Sequence, residues 1–169
     1  MKRLLADGIE HIVMLTGDNK PTAETIAQAA GVNEVYSELL PQDKVASVEK
    51  LVHKYKQVAM IGDGINDAPA MARATLGISM GAMGSDAAIE ASDIALMSDD
   101  LTKLPWLIRH SRRAVSIIRQ NISLSLAVKA VFVVLTFVGF ASLWAAIAAD
   151  MGVSLLVIFN ALRLLRVNG

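Results

Sequence analysis

Residues Met60–Ala70 read MIGDGINDAPA, and the apolar run Val58–Ile61 leads into them. Gly62 and Gly64 flank one carboxylate, Asp63. A second, Asp67, follows beside Asn66, and Pro69 opens a helix. Glycine lets the backbone come close to a ligand. Carboxylates on a glycine-rich strand-to-helix turn are hard oxygen ligands placed where phosphates bind, a setting that suits Mg²⁺. A single Asp on a turn would read as a polar loop. The pattern GDGxNDxP in one stretch reads as a site.

Working outward, the chain alternates short apolar runs with helical patterns. Met1–Gly8 is predicted as a short helix and His11–Leu15 as a buried strand running into Thr16-Gly17-Asp18-Asn19. A helix follows through Ala30, with Pro21 in its first turn and Gly31 as its stop. A strand feeding a Thr-Gly turn at a helix N-terminus can cradle an oxyanion. By itself, Thr16 or Asp18 reads better as an N-cap. Val35–Ser37 is predicted as a strand and Leu40–Lys56 as a helix whose apolar face is Val45, Val48, Leu51 and Val52. Lys44 sits in the first turn of that helix, where the dipole disfavours a cation. Either a bound phosphate or a solvated surface position would account for it.

Beyond the opening stretch, Ala68–Ala74 reads as a helix and Leu76–Met80 as a strand. Gly81–Gly84 reads as a loop, Ser85-Asp86 as the cap of a short helix to Ala91, and Ile94–Met97 as a strand. Strands alternating with helices imply an α/β layer built on a parallel sheet. Ligands of such sheets collect beyond the carboxyl ends of the strands. Thr16 and Asp63 both occupy such ends, so the two are expected to serve one site.

Composition then divides the chain. In 169 residues the apolar fraction is 54%, too high for an ordinary soluble domain, and the excess is local. Residues 121–169 carry only Lys129, Asp150, Arg163 and Arg166 as charged side chains. The formal net charge of zero therefore describes neither part. No basic stripe with interleaved aromatics is present, so no nucleic-acid partner is expected. Cysteine is absent, which excludes disulfides and thiolate metal sites within this stretch. Met1–Glu10 is charged and has no apolar core of a signal peptide.

Ile122–Phe140 and Leu143–Leu162 approach the roughly 20 residues needed to span a bilayer, with Gly139–Ser142 as the turn between them. Ser98–Asn121 reads as a connecting helix made basic by Lys103, Arg109, Arg112, Arg113 and Arg119. With Arg163 and Arg166 after the second run, the positive-inside rule puts both ends of the pair in the cytoplasm. Lys129 and Asp150 each lie roughly 15–16 Å below the turn at 1.5 Å per residue. A lone Lys129 could snorkel. A Lys and an Asp at matched depth on adjacent antiparallel helices are better read as a neutralising pair, and intramembrane charges are functional candidates by default. Met151 beside Asp150 reads as packing rather than ligation.

The motifs MLTGDN, LPQDK, MIGDGINDAPAM and GISMGAMGSDAAIEASDIALMSDDL, in this order, resemble the phosphorylation domain of P-type ATPases. The resemblance implies a haloacid-dehalogenase-like, Rossmann-like fold over residues 1–100, a juxtamembrane helix over 101–120 and a transmembrane helix pair over 121–167. It implies that Thr16 and Gly17, with Asp18 on the same turn, hold the transferred phosphoryl group. Lys44 would neutralise that group's charge and Asn66 would contact its oxygens. Asp63 would ligate Mg²⁺ and Asp67 would order the same site, with ATP as phosphoryl donor. Such transfer depends mostly on positioning and charge stabilisation, which a metal and a cation supply.

Asn121 with Lys129, then Asp150-Met151-Gly152, is similar to the last two helices of the heavy-metal-transporting class that exports zinc, cadmium and lead. In that class the Asp is a ligand of the transported metal and the Lys a built-in counter-ion. The Asn-Tyr and Met/Ser patterns of copper pumps are not present.

The DKTGT motif, whose Asp such enzymes phosphorylate, does not occur in this sequence. In the family its strand would lie between those ending at Leu15 and Ile61, so an incomplete sheet is expected. The resemblance implies the carboxyl-terminal piece of a longer pump in the cell membrane, partnered by the bilayer, by a divalent heavy-metal ion and by the amino-terminal part of the pump. The piece alone is expected to lack ATPase activity. Two other readings are a free-standing haloacid-dehalogenase-like phosphatase with a hydrophobic tail, and a non-catalytic truncation that binds a partner pump. The first would need an early Asp nucleophile, and no DxD or DxT precedes Thr16.

Overall fold

A computed structural model describes residues 1–63, 66–80, 89–90, 92–140 and 142–165. The chain forms two compact units, Met1–Lys103 and Leu104–Gly169.

The first unit alternates helices and parallel strands, as the sequence pattern implies. Its helices are α1 (Lys2–Ala6), α2 (Lys20–Ala30), α3 (Pro41–Tyr55) and α4 (Ala68–Met71). Its strands are β1 (Val13–Leu15), β2 (Glu34–Tyr36), β3 (Ala59–Gly62), β4 (Leu76–Ser79) and β5 (Ile94–Ala95). β1 pairs β2, with Met14 opposite Val35. β3, β4 and β5 form a second parallel sheet, with Gly62 opposite Ser79 and Ser79 opposite Ala95. The incomplete sheet expected of this stretch takes the form of two short sheets, β1 and β3 not being hydrogen-bonded neighbours.

Side chains tie the two sheets together. Val48 of α3 is buried with Met60 of β3 and with Ala70 and Met71 of α4, while Leu15 of β1 and Val45 and Val52 of α3 pack against this cluster. The apolar stripe of α3 thus spans both sheets, which follows from its helical spacing.

Local chemistry sets the helix ends. The cap of α2 is Asn19, whose side chain accepts from the Thr22 N–H at 3.0 Å. This corrects the alternative in which Thr16 or Asp18 caps the helix: their side chains bond each other instead. At the start of α3, Asp43 accepts from the Leu40 N–H at 3.1 Å, giving the first turn an acidic partner for an otherwise orphaned donor. The loop expected at Gly81–Gly84 and the cap expected at Ser85-Asp86 lie outside the described residues, as do Gly64, Ile65 and Arg166.

The second unit is a helical hairpin of α5 (Leu104–Phe137) and α6 (Leu143–Ala161). The connecting helix and first apolar run expected as separate segments are one uninterrupted helix of 34 residues. The reason is compositional: after Pro105 no glycine or proline occurs until Gly139. At about 1.5 Å per residue it measures roughly 51 Å, well beyond the roughly 30 Å hydrocarbon layer. It ends where Gly139 takes a φ of +80° and the Phe140 N–H donates to the Leu135 carbonyl at 3.0 Å, a left-handed C-terminal cap. Both helices are long and apolar enough to cross a membrane.

Candidate functional site

Three groups of polar side chains stand at the carboxyl ends of β1 and β3 and on the first turn of α3. After β1, the Thr16 hydroxyl donates to Asp18 Oδ2 at 2.8 Å, and the Asp18 N–H donates back to Thr16 Oγ1 at 3.1 Å. The turn is pinned to the chain after β2: the Thr16 N–H donates to the Tyr36 carbonyl and the Leu39 N–H to the Thr16 carbonyl. Gly17 lies on this turn against the Leu39 carbonyl oxygen. The Thr16 hydroxyl proton is therefore turned onto Asp18.

After β3, Asp63 accepts from the Asn66 backbone N–H at 3.1 Å and from its side-chain amide at 3.4 Å. The Asn66 amide, expected to face phosphoryl oxygens, is directed at Asp63. Both contacts close the turn on the carboxylate that the motif presents.

The third group joins two elements distant in sequence. Lys44 Nζ of α3 meets Asp67 Oδ1 at 2.7 Å, with the side chains only 20% and 18% exposed. The cation at the helix N-terminus, which the dipole disfavours, is thus offset by a carboxylate. Gly62 makes the approach possible. A Cβ there would stand 2.7 Å from the Cβ of Asp67 and 2.9 Å from its Oδ2, so no larger residue fits without displacing Asp67.

Asp63 and Asp67 together offer the hard oxygen donors that Mg²⁺ takes, usually one or two carboxylates completed by water and phosphate. Among the described residues no group of three or more His, Cys, Asp or Glu side chains converges on one point. Two carboxylates on one turn fit Mg²⁺ completed by water and phosphate rather than an all-protein metal cage.

Sequence reasoning gave no role to Ser79. It ends β4, fully buried, and its hydroxyl pairs with that of Ser92 at 2.8 Å. Beside it, the Gly77 N–H donates to Asp93 Oδ2 at 2.8 Å. These contacts tie β4 to the residues that lead into β5, and on its other side Ser79 lies opposite Gly62 of β3. A serine closing an apolar strand was the available signal.

In the hairpin, Ser125, Val128 and Lys129 of α5 and Asp150, Val153 and Ser154 of α6 line one cleft of about 220 Å³. The direct neutralising pair expected of Lys129 and Asp150 does not form: the ion pairs among the described residues are Lys20–Glu24, Lys44–Asp67 and Arg73–Glu49. Side chains lean toward the N-terminus of their own helix. On antiparallel helices Lys129 and Asp150 therefore lean in opposite directions along the axis. Toward the end away from the Gly139 turn, the two helices are joined by amides, of which the sequence reading names Asn121 alone and gives it no partner. Asn160 Nδ2 donates to Asn121 Oδ1 at 2.8 Å and to Gln120 Oε1 at 3.4 Å. Arg163 Nη1 donates to Asn160 Oδ1 at 2.9 Å, and Arg113 Nη2 to the Arg163 carbonyl at 3.3 Å.

Known proteins are similar to this chain. Residues 1–75 match the model of the haloacid dehalogenase-like hydrolases. Over 99% of its length the chain is 53% identical to a probable cadmium-transporting ATPase of Listeria monocytogenes, covering 24% of that protein. Along nearly its whole length the chain is thus similar to cadmium- and zinc-transporting P-type ATPases. It is also 48% identical over 164 residues, 95% of the chain, to a cadmium, zinc and cobalt-transporting ATPase of Bacillus subtilis, covering 23% of it. The crystal structure of a zinc-transporting PIB-type ATPase in the E2.Pi state superposes with a TM-score of 0.87 at 46% identity, over 98% of this chain and 27% of that one. The chain thus spans about a quarter of the length of the curated P-type ATPases it matches.

Proposed function

We propose that this chain supplies the metal-binding half of the phosphorylation site, and part of the transport site, of an ATP-driven pump that exports zinc, cadmium or lead. The contact between Lys44 and Asp67 carries the first half of this reading. It brings a cation to the carboxyl end of β3, beside the Asp63 turn, where a phosphoryl group bound beyond the strands would need charge neutralised. The acceptor Asp of the family motif lies outside this sequence, so the chain by itself is without ATPase activity.

Within the complete pump each residue has a chemical task. Asp63 and Asp67 would hold Mg²⁺, which would neutralise charge on the phosphoryl group and on its donor, ATP. Lys44 stands at the edge of that site, with Asp67 fixing its position. The Thr16 hydroxyl rotates from Asp18 and, with the Gly17 N–H, donates to phosphoryl oxygens. Asn66 orients the Asp63 carboxylate. Positioning of this kind is most of what phosphoryl transfer asks of a protein.

The hairpin crosses the cell membrane as part of a multi-pass bundle, with both ends and the phosphorylation domain in the cytoplasm. Supporting this, Arg113 and Arg163 meet at the end of the hairpin away from the Gly139 turn, which gathers positive charge on one side. Asp150 is the ligand of the departing metal ion. Lys129, in the same cleft, replaces the ion as counter-charge once it has left.

One experiment on the complete pump tests both halves. Asp63→Asn should abolish phosphoenzyme formation from ATP. Asp150→Ala should abolish zinc-stimulated ATPase while leaving phosphorylation from inorganic phosphate intact. Persistence of the phosphoenzyme in the first variant, or of zinc stimulation in the second, removes that residue from its role.

A further inference from the structure

Asp150 and Lys129 can share a cleft only if α5 and α6 hold one axial register. Nothing apolar in the pair enforces it. Inside a bilayer, helices gain no hydrophobic free energy from each other and are held by van der Waals packing and interhelical hydrogen bonds. Beyond Asn121, the residues of α5 flanking Lys129 are Val, Leu, Ala and Ser, and those of α6 flanking Asp150 are Ala, Met, Gly and Val, none of which specifies one level.

The amides do. Asn121 Oδ1 accepts from Asn160 Nδ2 at 2.8 Å, and the Asn121 amide also reaches the Val157 carbonyl at 3.5 Å. Asn160 is in turn held by Arg163 and Gln120. A slip of one residue turns Asn160 about 100° around its helix, and a slip of one turn displaces it by about 5.4 Å. Either movement breaks the contact between the two half-buried amides.

We propose that Asn121 and Asn160 form a register clamp that sets the level of Asp150 against Lys129, so that both are positioning residues and neither is a metal ligand. From the clamp, Lys129 lies about 12 Å along α5 and Asp150 about 15 Å along α6. That small offset is what lets both line the cleft with Ser125 and Ser154. One turn of slip would remove Asp150 from it.

The functional consequence rests on the reading of Asp150 as the cargo ligand, whereas the register itself can be measured without that reading. Val128 and Val153 line the same cleft from opposite helices. The chain carries no cysteine, so Val128→Cys with Val153→Cys gives a disulfide whose yield reports register in the 169-residue chain in lipid nanodiscs. Asn121→Leu or Asn160→Leu should lower that yield and favour a pair displaced by one turn, Val128→Cys with Val157→Cys. Asn121→Asp, which keeps the acceptor oxygen, should restore it. In the complete pump each leucine variant should raise the zinc concentration for half-maximal ATPase by about 3- to 20-fold, the range that transmembrane hydrogen bonds span. The double variant should be no worse than either single one. An unchanged cross-linking pattern in the leucine variants, or zinc effects that multiply in the double variant, overturns the clamp. Shifted cross-links with unchanged zinc dependence uphold the clamp and overturn the placing of the cargo at Asp150.

Discussion

Lys44 Nζ and Asp67 Oδ1 lie 2.7 Å apart, joining the first turn of α3 to the residue that precedes α4. Since both side chains are about four-fifths buried, the pair falls between a surface ion pair, worth about 0–1 kcal/mol, and a buried one, whose disruption costs about 3–5 kcal/mol. A double-mutant cycle with Lys44→Met and Asp67→Asn should give a coupling of about 1–3 kcal/mol in denaturant unfolding of the chain. If Lys44 neutralises the phosphoryl group as proposed, Lys44→Met in the complete pump should reduce phosphoenzyme formation by about 10²-fold or more.

Gly62 carries the geometric burden of that contact. Gly62→Ala puts a methyl group 2.7 Å from the Asp67 side chain. The expected cost is about 1–3 kcal/mol of stability, as for an overpacked site. Thermal unfolding measures it, and phosphoenzyme yield should fall in parallel as Asp67 moves from Lys44. A silent Gly62→Ala would mean that the turn after β3 yields freely.

Thr16→Val keeps the shape of the side chain and removes the hydroxyl that now donates to Asp18. If that hydroxyl serves the phosphoryl group, phosphoenzyme formation should fall about 10²-fold, the usual loss for one oxyanion donor. Thr16→Ser should retain most activity. A structural role alone would show as a lower unfolding midpoint with a normal phosphorylation rate.

Asp100 gives a pH-dependent prediction. Its Oδ1 accepts from the Thr102 hydroxyl at 2.6 Å and from the Thr102 N–H at 2.9 Å. The hydroxyl contact first, then the backbone one, holds the carboxyl below its ordinary value, with Lys103 adding to the effect. A value lowered in the folded state means that the ionised form favours folding. The contribution is complete above the ordinary carboxylate range and is lost as pH falls through the lowered folded-state value. Thr102→Val should move the Asp100 titration upward, followed by carboxyl ¹³C NMR, and should narrow the acid side of the stability profile.

The sequence alone determined every element whose cause is local. Strands β1, β3, β4 and β5 were legible because each lies in an apolar run bounded by turn residues, whereas β2, Glu34–Tyr36, was legible only to within a residue. Helices α2 and α3 were legible from their periodicity and from Pro21, Gly31 and Pro41. The hairpin was legible because residues 121–169 are almost free of charge. Asp63, Asp67 and Thr16 stood out because their neighbours are glycines at strand ends. What sequence could not decide was which of these side chains meet. Lys44 and Asp67 are 23 residues apart and come together only because the apolar stripe of α3 packs on β3 and α4. Lys129 and Asp150 have matched depth by counting, yet they form no ion pair, because antiparallel helices aim their side chains in opposite directions. Asn121 and Asn160, 39 residues apart, bond because the hairpin brings them level. Spacing along the chain specifies the faces and ends of elements. Which polar groups become partners depends on how those faces pack, and that is a property of the tertiary structure.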